Sequence, residues 1–320
     1  MLTEPAFMYS KSIIIFPRDG EKISFQNDNL VVTDKDGAVK FQCTCYKLFL
    51  VYIVGGFSMT SGLIEKSNKF GFSIVLLSTS FRIISSIPFK TEGNVLLREK
   101  QYSYQEPIEI ARHIVMNKID NQINMLAKLR DTKDDGIALL KEHKAKLQEE
   151  SIDLNTIMGH EGIAAKVYFP RIFKNSNWKG RQPRVKRDVV NVLLDIGYTV
   201  LFNYVEALLN LYGFDVYKGN LHQVFYRRKS LVCDMVEPFR PIIDYAVKKM
   251  LGLKQICEND FSNTKDGRFN LEWKQSAKVV GIFVNSITEY RQRMFQYFQQ
   301  YYRWFMKGGN IKTIPKVVIE

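Results

Sequence analysis

The sequence is short of the residues from which many active sites are built. It has four histidines and four cysteines in 320 residues. A three-histidine zinc site would consume nearly all of His113, His143, His160 and His222. Cys43 and Cys45 stand two apart in an alternating segment, and Cys233 and Cys257 are isolated. Neither a disulfide framework nor a CxxC site fits that spacing. There is no GxSxG elbow, no P-loop and no GxGxxG loop, so the usual hydrolase and nucleotide signatures are missing. The longest unbroken apolar run is Leu48–Val54, far short of the roughly 20 residues a spanning helix needs. Residues 1–11 carry Glu4 and no apolar h-region, so they do not read as a secretory signal. These absences lead to the expectation of a soluble, cytoplasmic protein.

Negative charge is also in deficit. Lys and Arg number 46 against 33 Asp and Glu, a net charge of +13. Such a surplus suits polyanionic partners: DNA, RNA or acidic membrane. Residues 1–100 carry net +3 and residues 101–320 net +10, which favours the second part as a phosphate-binding surface. At roughly 150 residues per domain the length suggests two domains.

What is present divides accordingly. Residues 1–100 read as a small β-domain. Ile13–Phe16 and Asn29–Thr33 are β-branched runs, and Asp34-Lys35-Asp36-Gly37 is turn chemistry. Val39, Phe41, Cys43 and Cys45 alternate with polar residues, predicting a strand with one buried face. Leu48–Val54 reads as a fully buried strand, Thr60–Lys69 as a short helix, and Phe72–Leu77 and Phe81–Ile87 as further strands. From Glu106 the period becomes helical. Pro107 opens one helix, and Gly136–Glu150, Asp188–Leu211, Ser230–Leu251 and Leu271–Phe305 supply others. The fold class is therefore α+β, with a larger helical domain over residues 101–320. Lys307–Glu320 reads as a mobile tail.

Two segments hold the candidate chemistry. In Gly159–Phe169, Glu161 heads a turn of small residues, with Ala164 and Ala165 permitting close helix approach. It is either a carboxylate that needs a cation or a first-turn Glu favoured by the helix dipole. In Gly213–Arg240, Asp234 and Glu237 lie three apart, and His222 sits on the approach to them. These acids are either ligands or an exposed face paired with Arg240. Pro238 and Pro241 predict a kink or a late start in that helix.

These residues resemble those of the CRISPR-associated adaptation integrases, the Cas-one family. The resemblance runs through Glu161, Ala164-Ala165, Tyr168-Phe169, Asn191, Leu193-Leu194, Gly197-Tyr198, Gly213-Phe214, Gly219, His222, Ser230-Leu231, Asp234, Glu237 and Arg240-Pro241. Arg98–Tyr102 and Lys118 with Asn121-Gln122 fit its inter-domain and first-helix pattern. Trp178–Gln182 and the Phe225–Pro241 run look like the version found beside single-effector CRISPR nucleases.

The resemblance implies a metal held by Glu161, His222 and Glu237, with Asp234 nearby. Two carboxylates and one imidazole suit Mg²⁺ or Mn²⁺ better than zinc. It implies that a DNA 3′-hydroxyl attacks a phosphodiester at the edge of a CRISPR repeat, with Lys166, Arg228 and Arg240 offsetting phosphate charge. The same site could serve a structure-specific nuclease, and a non-catalytic DNA-binding scaffold is a third possibility. Implied partners are double-stranded DNA, a second copy in a homodimer, and a small Cas-two dimer in a four-plus-two complex. Arg171, Lys174, Lys179, Arg181, Arg184, Lys186 and Arg187 form a basic cluster suited to DNA backbone. Arg291 and Arg293 lead into Phe295–Trp304, where aromatics at helical spacing either stack on bases or form core.

Overall fold

A computed structural model describes residues 2–57, 61–89, 94–129, 135–149, 153–174, 176–183 and 185–320. The chain opens with a short helix, α1 (Glu4–Tyr9), capped by Thr3. Seven strands follow, interrupted by one helix: β1 (Lys11–Ile15), β2 (Lys22–Gln26), β3 (Asn29–Thr33), β4 (Val39–Thr44), β5 (Leu48–Val54), α2 (Ser61–Phe70), β6 (Ser73–Leu77) and β7 (Ile83–Ile87). Strands β1, β5 and β6 run parallel, β7 pairs antiparallel with β6, and β2-β3-β4 form a separate antiparallel sheet.

Strand β5 is apolar throughout because both of its faces are covered. Val51 and Ile53 pack with Leu30, Val32 and Leu63, while Tyr52 and Val54 belong to the helical core. The Tyr52 hydroxyl donates to the Val200 carbonyl at 2.9 Å, joining the sheet to the helices. Strand β4 departs from its predicted pattern. Val39 and Phe41 are exposed, since β4 is the edge of its sheet and β3 supplies the buried residues. Cys45 is buried, but in a 3-10 turn beyond the strand.

The helical part comprises α3 (Val95–Ser103), α4 (Pro107–Ala127), α5 (Gly136–Lys146), α6 (Leu154–Ile172), α7 (Val189–Tyr212), α8 (Ser230–Val236), α9 (Arg240–Gly252), α10 (Trp273–Glu289) and α11 (Arg291–Met306). A hairpin, β8 (Phe261–Asn263) and β9 (Phe269–Leu271), precedes α10. The 100/101 boundary falls inside α3, whose Gln101 side chain bonds the backbone of Asp215 and Lys218. The stretch read as Leu271–Phe305 is two helices, broken at Tyr290. Pro238 and Pro241 act as predicted: a 3-10 turn over Glu237–Phe239 separates α8 from α9.

Helix α7 forms the axis of this part. Asp188 caps it, its carboxylate accepting from the Asn191 amide at 2.8 Å. Gly197 lets α9 and α10 approach: a Cβ there would lie 2.4 Å from Ile243 and 2.8 Å from Phe283. Among the described residues α7 is the one helix long and apolar enough to cross a membrane, and it is mostly buried in the protein core.

Residues 307–320 are not a loose tail. Asn117 on α4 donates to the Val317 carbonyl at 2.7 Å and accepts from its amide at 3.0 Å. Asn121, one turn on, accepts from the Ile319 amide at 3.0 Å. Val317 and Ile319 are buried. Two alternating apolar side chains and a pair of buried carboxamides give this segment a docking site that its composition does not reveal.

Candidate metal and DNA-processing site

The site lies where α4, α6, the 213–229 loop and the Glu237–Phe239 turn meet. Helix α6 starts at Leu154, capped by Asp153, so Glu161 lies two turns inside it. It is not the first-turn acid that the dipole alone would explain. Helix α4 lies against α6 and against the Glu237 turn, and it brings Lys118 between them. The Lys118 ammonium is 2.5 Å from Glu161 Oε1 and 2.6 Å from Glu237 Oε2. Lys118 and Glu237 are both buried.

Charge is balanced tightly here. Burial alone would raise the Glu237 carboxyl, but the Arg240 guanidinium and the Lys118 ammonium beside it hold it down to about 2. Burial would likewise depress Lys118, and the two carboxylates more than reverse that. Arg240 Nε lies 2.9 Å from Glu237 Oε1, and its guanidinium sits over the Tyr198 ring at 4.5 Å. So the Glu237–Arg240 pair exists, but as a buried pair and not an exposed acidic face.

Asp234 does a different job from Glu237. One of its oxygens accepts from the Asn220 amide at 2.5 Å and the Leu221 amide at 3.0 Å. The other accepts from the His222 amide at 2.7 Å and pairs with His222 Nδ1 at 2.8 Å. Asp234 is fully buried, and each of its oxygens is engaged twice. It therefore fixes the loop and the imidazole instead of offering a lone pair to a ligand. With Nδ1 committed, Nε2 is the ring nitrogen left to act. Gly219 is required in this loop: a Cβ would lie 2.6 Å from the His222 carbonyl and 2.8 Å from Ser230.

The donor set fits a hard divalent cation, although the three predicted ligands do not share one coordination sphere. Two carboxylates already converge on one cationic atom, and Glu237 Oε2 accepts no well-aligned hydrogen bond despite its burial. His222 is close enough to lower the Glu237 pKa electrostatically. Among the described residues, however, no three His, Cys, Asp or Glu side chains are grouped as a metal would hold them.

The other predicted residues separate by environment. Lys166 is exposed on α6, five residues beyond Glu161 and so turned well away from it. Arg171 bonds the Val167 carbonyl and the Asp135 carboxylate. Arg181 bonds Asn191 and pairs with Asp195 at 2.8 Å. Arg293 bonds the Val318 carbonyl at 2.7 Å, and Arg291 reaches the Ser10 carbonyl. These four brace the fold. Lys174, Lys179 and Arg187 are exposed, Lys186 is half-buried, and Arg184 lies outside the described residues. The aromatics of α11 are not a stacking surface: Phe295, Tyr297, Phe298, Tyr301 and Trp304 are buried, because α11 packs on α1, α3 and α7.

Sequence reasoning gave Asp244 no role. It is buried and accepts a short hydrogen bond from Tyr198. Burial raises its carboxyl from 3.8 to about 6, outweighing Tyr198 and Arg240. A raised carboxyl stabilises the fold fully below pH ~4, and that stability is lost as pH rises through about 6. The Asp244→Asn variant should therefore gain on the native protein by about 3 kcal/mol between pH 4 and pH 7. Urea unfolding across that range measures the gain, and a constant difference would contradict it.

Residues 14–283 match the family model described as CRISPR associated protein Cas1. A CRISPR-associated endonuclease Cas1 of Thermodesulfovibrio yellowstonii is 28% identical over 262 residues, covering 78% of this chain and 80% of the relative. The casposase bound to integration product superposes with a TM-score of 0.80 at 19% identity, covering 93% of this chain and 91% of that one. A chain of a Cas6-RT-Cas1–Cas2 complex gives 0.80 at 21% identity, covering 97% of this chain and 36% of that longer one.

Proposed function

The chain belongs to the Cas1 family of CRISPR-associated proteins, and from that membership we propose that it is a metal-dependent DNA integrase of CRISPR adaptation. In this reading it joins the 3′-hydroxyl ends of captured DNA fragments into the repeat array. The observation that carries it is the convergence of Glu161 and Glu237 on one cationic atom, with His222 held by Asp234 alongside.

On this reading Glu161, Glu237 and His222 Nε2, which are not grouped as metal ligands among the described residues, would close around Mg²⁺ or Mn²⁺. When bound, the ion would acidify the attacking hydroxyl and polarise the scissile phosphodiester. The protein's own groups set the stage. Asp234 keeps the imidazole in one tautomer and one orientation. Arg240 anchors Glu237, and Lys118 holds the two carboxylates together. The exchange balances without water: one P–O bond forms to the incoming 3′-oxygen, and one breaks as the target strand's 3′-oxygen leaves with a proton. No protein nucleophile is needed, in keeping with the missing nucleophile motifs.

A homodimer supplies two such sites, as integration at both ends of a repeat requires. The Cas1–Cas2 assembly among the structural neighbours supports a Cas-two partner; in our reading that partner is a small dimer that bridges two such homodimers in a four-plus-two complex. Duplex DNA is the substrate, and the prokaryotic cytoplasm is the site of action.

The test is a joining assay. With Mn²⁺ or Mg²⁺, a short labelled duplex should become covalently attached to a plasmid bearing a repeat array. Cutting of branched DNA without any joining, with the Cas-two partner present, would favour a repair nuclease.

A further inference from the structure

Two of the four histidines have oxygen partners. His113 Nε2 is 2.9 Å from the Pro315 carbonyl, and His222 Nδ1 is 2.8 Å from Asp234. The other two have each other. His143 on α5 and His160 on α6 face one another with their Nδ1 atoms 3.1 Å apart. Among the described residues no hydrogen bond joins either ring to a carboxylate, a hydroxyl or a backbone carbonyl.

The two helices explain the meeting. Leu140 lies one turn before His143 and Leu147 one turn after it, and both are fully buried. Ile157 and Ala164 flank His160 at the same spacing, and they are buried too. Each histidine thus stands on the apolar seam between α5 and α6, where an aliphatic side chain would pack without polar cost. Both rings are half-buried, so the seam opens to solvent at this point. Lys144 and Lys146, which follow His143 on α5, are each neutralised: Lys144 by Asp120 at 2.5 Å and Lys146 by Glu142 at 2.7 Å.

A hydrogen bond between two imidazoles uses one hydrogen and one lone pair; a metal ion in its place uses both lone pairs. Metal–nitrogen bonds of about 2.0–2.1 Å put two ligand nitrogens roughly 3.3 Å apart at the tetrahedral angle and roughly 2.9 Å apart at a right angle. The separation of 3.1 Å falls between these. The rings are inclined to each other at 52° and are not stacked face to face.

We propose that His143 and His160 form a two-imidazole site for a borderline transition-metal ion of the Zn²⁺ class, which staples α5 to α6. Imidazole pairs favour Zn²⁺, Ni²⁺ and Cu²⁺ over Mg²⁺ and Mn²⁺, which suit oxygen ligands. Water completes the coordination, since no third His, Cys, Asp or Glu joins the pair among the described residues. The site is separate from the carboxylates that Lys118 holds and does not rest on the integrase reading. Its effect is structural: it ties the turn of α6 that leads into Glu161 to the end of α5.

The test is calorimetric titration with Zn²⁺ in excess Mg²⁺. The native protein should bind Zn²⁺, His143→Gln or His160→Gln should weaken that binding at least about ten-fold, and His222→Ala should leave it within about two-fold. Zn²⁺ at roughly a hundred times its Kd should raise the melting temperature of the native protein by about 3–5 °C. His143→Leu/His160→Leu, which completes the apolar seam, should melt no lower than the native protein in EDTA and lose the Zn²⁺ response. X-ray absorption at the zinc edge of the native protein, which needs no variant, should show two imidazoles at about 2.0 Å with oxygen in the remaining positions. Equal Zn²⁺ binding by the native and double-leucine proteins overturns the proposal. So does binding lost in His222→Ala and kept in His143→Gln, which would place the ion near Glu237. A sulfur ligand in the absorption spectrum, or an equal thermal shift with Mn²⁺, overturns it as well.

Discussion

Replacing His222 with alanine should reduce DNA joining by at least about a thousand-fold, roughly 4 kcal/mol of transition-state stabilisation. Folding and duplex binding should be nearly untouched. His222 is half-buried in a loop, so its loss leaves no large cavity, and it is not one of the chain's lysines or arginines. The salt dependence of duplex affinity should keep its slope, because no Lys or Arg is removed. Asp234→Asn should give a smaller loss, about 10- to 100-fold, since it disturbs the tautomer and placement of His222 without deleting it. Joining rates with saturating DNA, measured beside anisotropy titrations, separate the two variants. Native rates for His222→Ala would show that the imidazole stands outside the chemistry.

The second large effect is expected at Lys118. Its ammonium is the shared partner of Glu161 and Glu237. Lys118→Met preserves most of the volume and removes the charge. Breaking a buried ion pair from one side typically costs about 3–5 kcal/mol, because the abandoned charge stays buried. Arg240 remains beside Glu237 and blunts the loss there; Glu161 has no such second cation in hydrogen-bonding reach among the described residues. The melting temperature should fall on the order of 5–10 °C in EDTA. Saturating Mn²⁺ should recover much of that fall, since a divalent ion supplies the missing charge and binds only the folded form. An equal fall with and without Mn²⁺ would place Lys118 outside the cation-binding role.

Much of this arrangement was legible in the sequence, for identifiable reasons. Strands β3 and β5 are marked by β-branched and aromatic runs with turn residues at their ends, and their predicted spans coincide with the observed ones. The break at Glu237–Phe239 follows from two prolines. Glu161, His222, Asp234 and Glu237 stand out in two candidate segments, but only the family resemblance chooses the ligand reading over the structural one, because acids and a histidine scattered over 77 positions do not show that they meet. Strand β2 has only Ile23 and Phe25 as alternating markers and was missed. Lys118 was legible only as a motif member. A lysine on an amphipathic helix reads as solvated until two carboxylates from distant segments are placed against it. The α11 aromatics could have been core or binding surface, and only their packing against α1, α3 and α7 decides.

The clamp on residues 315–320 has a consequence for the order in which the site is assembled. Asn121 holds the Ile319 amide with its oxygen and the Pro238 carbonyl with its nitrogen at 2.8 Å. One carboxamide thus ties residues 315–320 to the backbone beside Glu237. Synthesis runs from the N-terminus, and those residues emerge from the ribosome after every other part of the site. A nascent chain would therefore carry all its acidic groups while the turn presenting Glu237 is still untied. The carboxyl groups of the site are thus in place before the turn that carries Glu237 is fastened, and docking of residues 315–320 is the step that fastens it.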